Sequence, residues 1–271
     1  MPVSSEETSK PGFSLSKFLI GRPLETTALL DQRVTKRVGL AVFASDALSS
    51  TAYATEEILI ILALAGTSAS TLGVSIPIAI AIAILLAIVT ISYRQTIFAY
   101  PNGGGAYIVA RDNLGELPAQ IAGAALLTDY ILTVAVSTSA GVAQITSGFP
   151  DLLPYRVEIA IGVIVVMTIV NLRGVRESGQ IFAVPTYFFI FTMFATLIVG
   201  VIRAITGSLD TVTGVEVVHS TSQSLTLFLV LRAFSSGCTA LTGIEAISNG
   251  IMAFKEPRSR NAAVTLVWMS T

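Results

Sequence analysis

Residues 44–57 read Ala-Ser-Asp-Ala-Leu-Ser-Ser-Thr-Ala-Tyr-Ala-Thr-Glu-Glu and lie in the middle of an apolar segment that covers residues 38–66. The segment is long enough to span a membrane, for which about 20 mostly apolar residues suffice. Its centre nevertheless holds a carboxylate, Asp46, and a run of hydroxyl side chains. An ionisable side chain at the bilayer centre costs at least about 2.5 kcal/mol. Either the segment is not a span, or its centre faces protein, water or an ion.

The composition favours a span. Of the 271 residues, 53% are hydrophobic and 12% are charged, whereas soluble domains average about 25% charged residues. These values predict an all-α, multi-pass membrane protein. The net charge of −1 excludes a basic surface for nucleic acid. The lone Cys238 excludes an internal disulfide and, with the lone His219, argues against a zinc site.

Seven apolar segments are predicted to be spans. They cover residues 38–66, 73–98, 117–147, 157–172, 181–203 and 224–252, and a seventh begins near Ala262. Residues 1–37 are polar and contain no apolar signal-peptide core, so the first span is expected to direct its own insertion.

The loops differ strongly in basic charge from one side of these spans to the other. Thirteen Lys and Arg residues fall on the side of the N-terminus and two on the opposite side, while Arg232 lies within a span. Because positive charge marks cytoplasmic loops, the N-terminus is predicted to be cytoplasmic and the first span to run outward.

The sixth segment resembles the first in its polar centre. Residues 234–250 combine glycines and hydroxyl side chains with one acid, Glu245. The first and sixth spans begin five spans apart. Two spans of this kind at this spacing are typical of an inverted five-helix repeat, in which corresponding helices are discontinuous and form a site at the membrane midplane. We therefore expect a first repeat over residues 38–203 and the start of a second over 204–271. Close packing of small residues is the alternative, but it does not explain the two acids.

A polar stripe in the third segment faces the same centre. Tyr130, Thr133 and Ser137 lie at positions i, i+3 and i+7, on one side of a helix, while Asp129 points elsewhere. The glycine-rich loop Tyr100-Pro-Asn-Gly-Gly-Gly-Ala-Tyr107 before this span is compatible with a simple turn or with a re-entrant or gating element.

The polar centres suit the chemistry of a cation site. Carboxylates, hydroxyls and freed carbonyls can replace the hydration shell of a hard monovalent cation. Asp46 and Glu245 would supply the charge, and an acid that is costly to ionise in a membrane can alternate between a proton and a cation. The first span has no glycine at its centre, and Asp46 would repel a substrate carboxylate. Both features disfavour an amino acid held by its carboxylate and favour an inorganic cation or a cationic substrate.

Four motifs carry a resemblance to a known family: residues 44–59, 100–115, 128–141 and 239–250. Together they resemble the KimA-type potassium importers of the amino acid–polyamine–organocation (APC) superfamily. The resemblance covers the chain from residue 36 onward. It implies a LeuT-like, five-plus-five inverted-repeat fold with discontinuous spans one and six.

The resemblance also implies a function and a site. The function is K+/H+ symport by alternating access, with potassium as substrate, the proton as coupling ion, and no cofactor. The potassium ligands implied are Asp46, Tyr53, Tyr130, Thr133, Ser137, Thr242 and Glu245. Asp129, with Asp46 and Glu245, is a candidate for proton coupling.

The resemblance further implies a homodimer that lies in the plasma membrane and contacts its lipids. It also implies a bacterial source. Family members have twelve spans and often a cytoplasmic regulatory domain. Spans seven to twelve and that domain would follow Thr271, so we expect residues 1–271 alone not to transport.

Three other functions fit the sequence less well. An APC permease for amino acids or polyamines keeps the fold and changes the substrate, and it remains the main alternative. An intramembrane aspartyl protease using Asp46 and Asp129 lacks the required motifs, so no enzyme is expected. A passive channel would not require broken helices at corresponding repeat positions.

Overall fold

The structure is a computed structural model that describes residues 33–172, 175–209 and 224–271. Most of the polar segment 1–37 and His219 lie outside these ranges. Within them, every regular element is helical, and the one extended pairing is an isolated bridge between Val34 and Phe254. The predicted all-α class is confirmed for the described residues.

Ten α-helices follow one another along the described chain. They are α1 (Lys36–Ala63), α2 (Ala69–Gly73), α3 (Ser75–Ala99), α4 (Gly105–Leu114), α5 (Glu116–Gly148), α6 (Arg156–Leu172), α7 (Val175–Ile205), α8 (Leu227–Gly237), α9 (Ile244–Asn249) and α10 (Arg258–Ser270). Short 3-10 helices occupy Pro150–Tyr155, Cys238–Leu241 and Ile251–Ala253.

Five stretches of the described chain are long and apolar enough to cross a membrane. They are Ser70–Ala99, Glu116–Gly148, Pro150–Leu172, Ser178–Ile205 and Leu227–Asn249. They coincide with the second to sixth predicted spans. Their outer faces remain apolar and exposed, as expected where lipid is the solvent. The protein is therefore embedded in a membrane.

The structure differs from the sequence-based expectation at the first span, because α1 is a continuous helix over 28 residues. The hydroxyls that suggested a break donate to carbonyls of their own helix. Ser49 Oγ lies 2.8 Å from the Asp46 carbonyl, and Thr51 Oγ1 lies 2.8 Å from the Ala47 carbonyl. These bonds leave the backbone ladder intact, and the stretch contains no glycine or proline to interrupt it.

The sixth span is discontinuous as expected. It consists of α8, a 3-10 turn over Cys238–Leu241, an extended Thr242, and Gly243 in the left-handed region with a φ of +83°. Glycine adopts this backbone without the strain that a Cβ would add. The break separates α8 from the short α9.

Helix α1 is the central element of the described chain, and α3, α5, α7, α8, α9 and α10 pack against it. Two apolar cores hold it, one on each side of the break in the sixth span. The first core joins α9 and α10 to the end of α3 and includes Ile97, Ile247 and Phe254, all fully buried. The second joins the C-terminal end of α1 to α3 and α8 and includes Leu62, Ile82 and Ala233. The polar residues of α1 therefore lie between two apolar layers.

Candidate functional site

The candidate site begins where the break in the sixth span touches the middle of α1. A Cβ added at Gly243 would lie 2.8 Å from the backbone nitrogen of Ala47 and 2.9 Å from Cβ of Asp46. Contacts this short cannot be accommodated by backbone atoms without movement. Gly243 therefore allows the extended segment of the sixth span to approach α1 at Asp46.

A chain of hydroxyl groups links α1 to the same break. Ser50 is fully buried, and its Oγ lies 2.6 Å from Thr242 Oγ1 and 3.3 Å from the hydroxyl of Tyr53. The Thr239 hydroxyl donates to Tyr53 across 3.5 Å, and Thr242 donates to the Thr239 carbonyl. Tyr53 and Thr242 are thus joined through Ser50.

A cavity of about 590 Å³ lies beside Asp46, between α1 and α5. Its polar lining combines Asp46, Ser45 and Ser49 of α1 with Tyr130, Thr133 and Ser137 of α5. The two helices are bridged there by a 3.0 Å contact between the hydroxyls of Ser49 and Ser137. The prediction that Tyr130, Thr133 and Ser137 share one face is confirmed by this lining.

Glu245 lies in the first turn of α9 and is 7% exposed. Among the described residues, its Oε1 and Asp46 Oδ1 are the two buried carboxylate oxygens without a hydrogen-bond partner. A buried charged oxygen without a partner is costly. A cation or a proton at this position would remove that cost.

A third carboxylate lies within electrostatic reach of these two. Asp46 and Glu245 each interact with Asp129, and Glu245 also interacts with Asp46. Like charges in a poorly solvated region repel one another strongly. Nevertheless, within the described residues no three acidic, His or Cys side chains converge closely enough to hold a metal ion.

The glycine-rich loop forms a turn that packs against the inner end of the site. Asn249, the last residue of α9, donates from Nδ2 to the hydroxyl of Tyr130 across 2.7 Å. A Cβ on Gly103 would meet the Asn249 carbonyl at 2.7 Å, and one on Gly105 would meet its side-chain oxygen. The loop is therefore a tight turn, as the simpler of the two sequence interpretations had it.

The predicted site residues fall into two groups. Asp46, Tyr130, Thr133 and Ser137 line the cavity, whereas Thr242 and Glu245 lie at the adjoining break. Tyr53 lines a second cavity, of about 400 Å³, toward Glu56 and Glu57.

The sequence interpretation did not select Ser50, Thr239 or Asn249. The hydroxyl run of α1 pointed to Ser50 without distinguishing it from its neighbours. Thr239 and Asn249 are isolated polar residues in an apolar segment, and only the fold shows that they reach Tyr53 and Tyr130.

Comparison with known proteins agrees with this architecture. Residues 40–271 match the amino acid permease family. The chain is 54% identical over 261 residues to the potassium transporter KimA of Bacillus subtilis (strain 168), an alignment that covers 94% of this chain and 42% of that protein. The resemblance read from the motifs is thereby confirmed.

Two plant proteins are more distant relatives. The chain is 28% identical over 215 residues to cationic amino acid transporter 6, chloroplastic, of Arabidopsis thaliana, covering 74% of this chain and 34% of that protein. It is 27% identical over 179 residues to cationic amino acid transporter 7, chloroplastic, of the same plant, covering 61% and 28%. The chain spans less than half the length of these curated relatives. All of them carry names of transporters, in agreement with the expectation that the chain is not an enzyme.

Proposed function

Because the chain belongs to the amino acid permease family, we propose that it forms the first part of a secondary transporter that imports potassium together with protons. One observation carries this proposal. Among the described residues, Asp46 Oδ1 and Glu245 Oε1 are buried without a hydrogen-bond partner, and Asp46 lines a cavity that is also lined by hydroxyls. The identity to a potassium transporter supports the choice of ion.

The proposed site uses different groups for binding and for coupling. Hydroxyls of Tyr53, Tyr130, Thr133, Ser137 and Thr242 would replace the hydration shell of potassium, while Asp46 and Glu245 would supply charge. Asp46 and Glu245 repel each other and cannot both be ionised cheaply without a cation, and Asp129 is a further candidate for the proton path. Arrival of potassium would favour ionisation and departure would favour protonation, which couples the two ions.

The wider organisation is part of the same proposal. Residues 38–203 would form the first repeat, and residues 204–271 would begin the second. The N-terminus would be cytoplasmic, in a plasma membrane, and the working unit would be a homodimer. Support comes from the charge bias of the loops and from the family membership.

Growth at limiting potassium tests the site. The full-length protein would be expressed in a strain that lacks its own potassium importers, as wild type, Asp46→Asn and Glu245→Gln. We expect the wild type to restore growth and both variants to fail. Matched controls are Asp151→Asn and Glu158→Gln, whose side chains are exposed outside the site; these should grow. Normal growth of both site variants would overturn the proposed site.

A second candidate function is transport of a cationic amino acid or a polyamine. The two plant relatives favour it, and so does the acidic centre, which would attract a positively charged amine. Competition separates the candidates. Excess arginine or putrescine should leave rubidium uptake unchanged if potassium is the substrate. Uptake of labelled arginine or putrescine, with no rubidium uptake, would identify the alternative as correct.

Proton coupling has its own measurement. In proteoliposomes with a pH-sensitive dye, potassium entering by symport should move protons in the same direction. Potassium uptake without any proton movement would refute symport while leaving potassium transport intact.

A further inference from the structure

A groove on the outer surface of the protein, away from the site, combines an apolar wall with two arginines. It lies between α3 and α10 and has a volume of about 430 Å³. Its lining is formed by Arg94, Phe98, Arg260, Ala263, Val264, Val267 and Trp268. The proposed transport function uses none of these residues.

The two arginines carry charge that the described chain does not neutralise. In residues 33–172, 175–209 and 224–271, neither Arg94 nor Arg260 takes part in an ion pair. The nearest acid in sequence, Glu256, is bound by Arg258 at 2.7 Å and Arg33 at 3.7 Å. Among the described residues, the partner of Arg94 is the ring of Phe98, with the guanidinium carbon 5.8 Å from the ring centroid.

Both arginines lie near the end of a helix, where we expect the lipid headgroups. Arg94 lies five residues before the end of α3, and Arg260 is the third residue of α10. Both helix ends belong to the side of the molecule that carries the excess of basic residues. Trp268 follows Arg260 by eight residues, which is about 12 Å deeper along the helix. The groove thus has a charged mouth and an apolar interior.

We propose that this groove binds an anionic phospholipid of the leaflet on the N-terminal side. Guanidinium groups bind phosphate oxygens through paired hydrogen bonds, and basic pockets between membrane helices bind acidic headgroups. The phosphate would lie between Arg94 and Arg260, and one acyl chain would pack along Val264, Val267 and Trp268. A zwitterionic lipid lacks the net charge that two unpaired arginines require.

The proposal has a consequence for the transporter. Helices α3 and α10 flank the two spans that form the site, and the described chain joins them by a hydrogen bond from Thr90 to Ser270 of 2.9 Å. A lipid that bridges Arg94 and Arg260 would add a second connection between the same helices, at the opposite end of their contact.

Tryptophan quenching tests the proposal, because Trp268 is the one tryptophan of the 271 residues. The full-length protein would be reconstituted in phosphatidylcholine with small amounts of phosphatidylglycerol or phosphatidylcholine brominated on the acyl chain. The quantity measured is the fluorescence of Trp268, which is the part of the total tryptophan emission that is lost in the Trp268→Phe variant. We expect brominated phosphatidylglycerol to quench it at lower mole fraction than brominated phosphatidylcholine.

Variants assign this preference to the arginines. Arg94→Gln and Arg260→Gln should each weaken the apparent affinity for phosphatidylglycerol about five-fold, the effect of one basic residue at a membrane surface. Arg111→Gln is the matched control, since Arg111 lies on the same side but outside the groove and already contacts Asp112 at 3.4 Å. It should retain the preference.

Three results would overturn the proposal. Equal quenching by both brominated lipids in the wild type would show that charge does not select the occupant. Loss of the preference on adding inorganic phosphate would show that free phosphate is the ligand. Absence of quenching by either lipid would show that protein, from another span or a second copy, covers the groove.

Discussion

Gly243 determines how close the sixth span comes to α1. Its φ of +83° lies in the region where side chains are strained, and a Cβ would press on the backbone of Ala47. Asp46 can lie beside the break because residue 243 has no side chain.

Replacing this glycine should therefore damage both stability and transport. We expect Gly243→Ala to lose about 1–2 kcal/mol from the left-handed backbone alone, and more from the contact with α1. Thermal unfolding of the purified protein in detergent measures the loss. Gly162→Ala is the matched control, because the described chain leaves open space there. Equal unfolding temperatures for the two variants would contradict this reading of Gly243.

Ser50 should matter more for stability than the other hydroxyls of α1. Ser50→Ala leaves the hydroxyls of Tyr53 and Thr242 without their shared partner, and a lost buried hydrogen bond costs about 1–3 kcal/mol. Ser45→Ala should be nearly neutral, since Ser45 is exposed and, within the part of the chain that the structure describes, its hydroxyl donates to the Val42 carbonyl of its own helix and to no other group. Thermal unfolding of the two variants, measured side by side, tests the difference. A Ser45 effect as large as that of Ser50 would refute it.

At the scale of helices, the segment after the sixth span is attached to the start of α1. Val34 donates to the Ala253 carbonyl at 2.8 Å, and Lys255 donates to the Val34 carbonyl at 3.1 Å. Phe254 is fully buried, stacks on Phe43 with a 5.3 Å centroid separation, and packs on Gly39. Backbone pairing and an aromatic contact thus hold the two segments together.

Removing the aromatic ring should release this attachment. Phe254→Ala is expected to destabilise the protein by about 3–5 kcal/mol, as for other buried phenylalanines. Phe228→Ala removes the same ring from a position that is 74% exposed and should cost much less. Unfolding by heat or denaturant compares them. If both variants unfold alike, the attachment does not contribute to stability.

The contrast between α1 and the sixth span shows what the sequence could predict about elements. Glycines at 237, 243 and 250 predicted the break in the sixth span correctly. The hydroxyl run of α1 was ambiguous, because serine and threonine either replace backbone bonds at a break or donate to carbonyls within a helix. Ser49 and Thr51 do the latter. Hydroxyls alone therefore do not identify a discontinuous helix.

At the scale of the molecule, the proposed orientation rests on the distribution of basic residues and can be tested directly. Lys255 and Asp151 lie on opposite sides of the membrane in this arrangement. In a cysteine-free background, Asp151→Cys should react with a membrane-impermeant maleimide in intact cells. Lys255→Cys should react only after the cells are opened. The reverse pattern would invert the proposed topology.

Apolar segment lengths were sufficient to predict the five described stretches that are long and apolar enough to cross a membrane, and their order. The first and seventh predicted segments, which contain α1 and α10, are not among these five. The composition of the site was partly predictable, because acids and regularly spaced hydroxyls stand out in apolar helices. The pairing of Asn249 with Tyr130 was not, since the two residues are 119 positions apart. Contacts of this kind depend on how separate helices cross, which local sequence does not encode.

The continuity of α1 has a mechanical consequence. At 1.5 Å per residue the helix is about 42 Å long, and the sixth span touches it near its midpoint, at Asp46 and Ala47. A stiff rod that tilts about a central fulcrum moves its two ends in opposite directions. The end attached to Phe254 would swing away from the bundle as the end near Leu62 swings toward it. If the chain works by the alternating access proposed above, one tilt of α1 would open the transporter on one side of the membrane while closing it on the other.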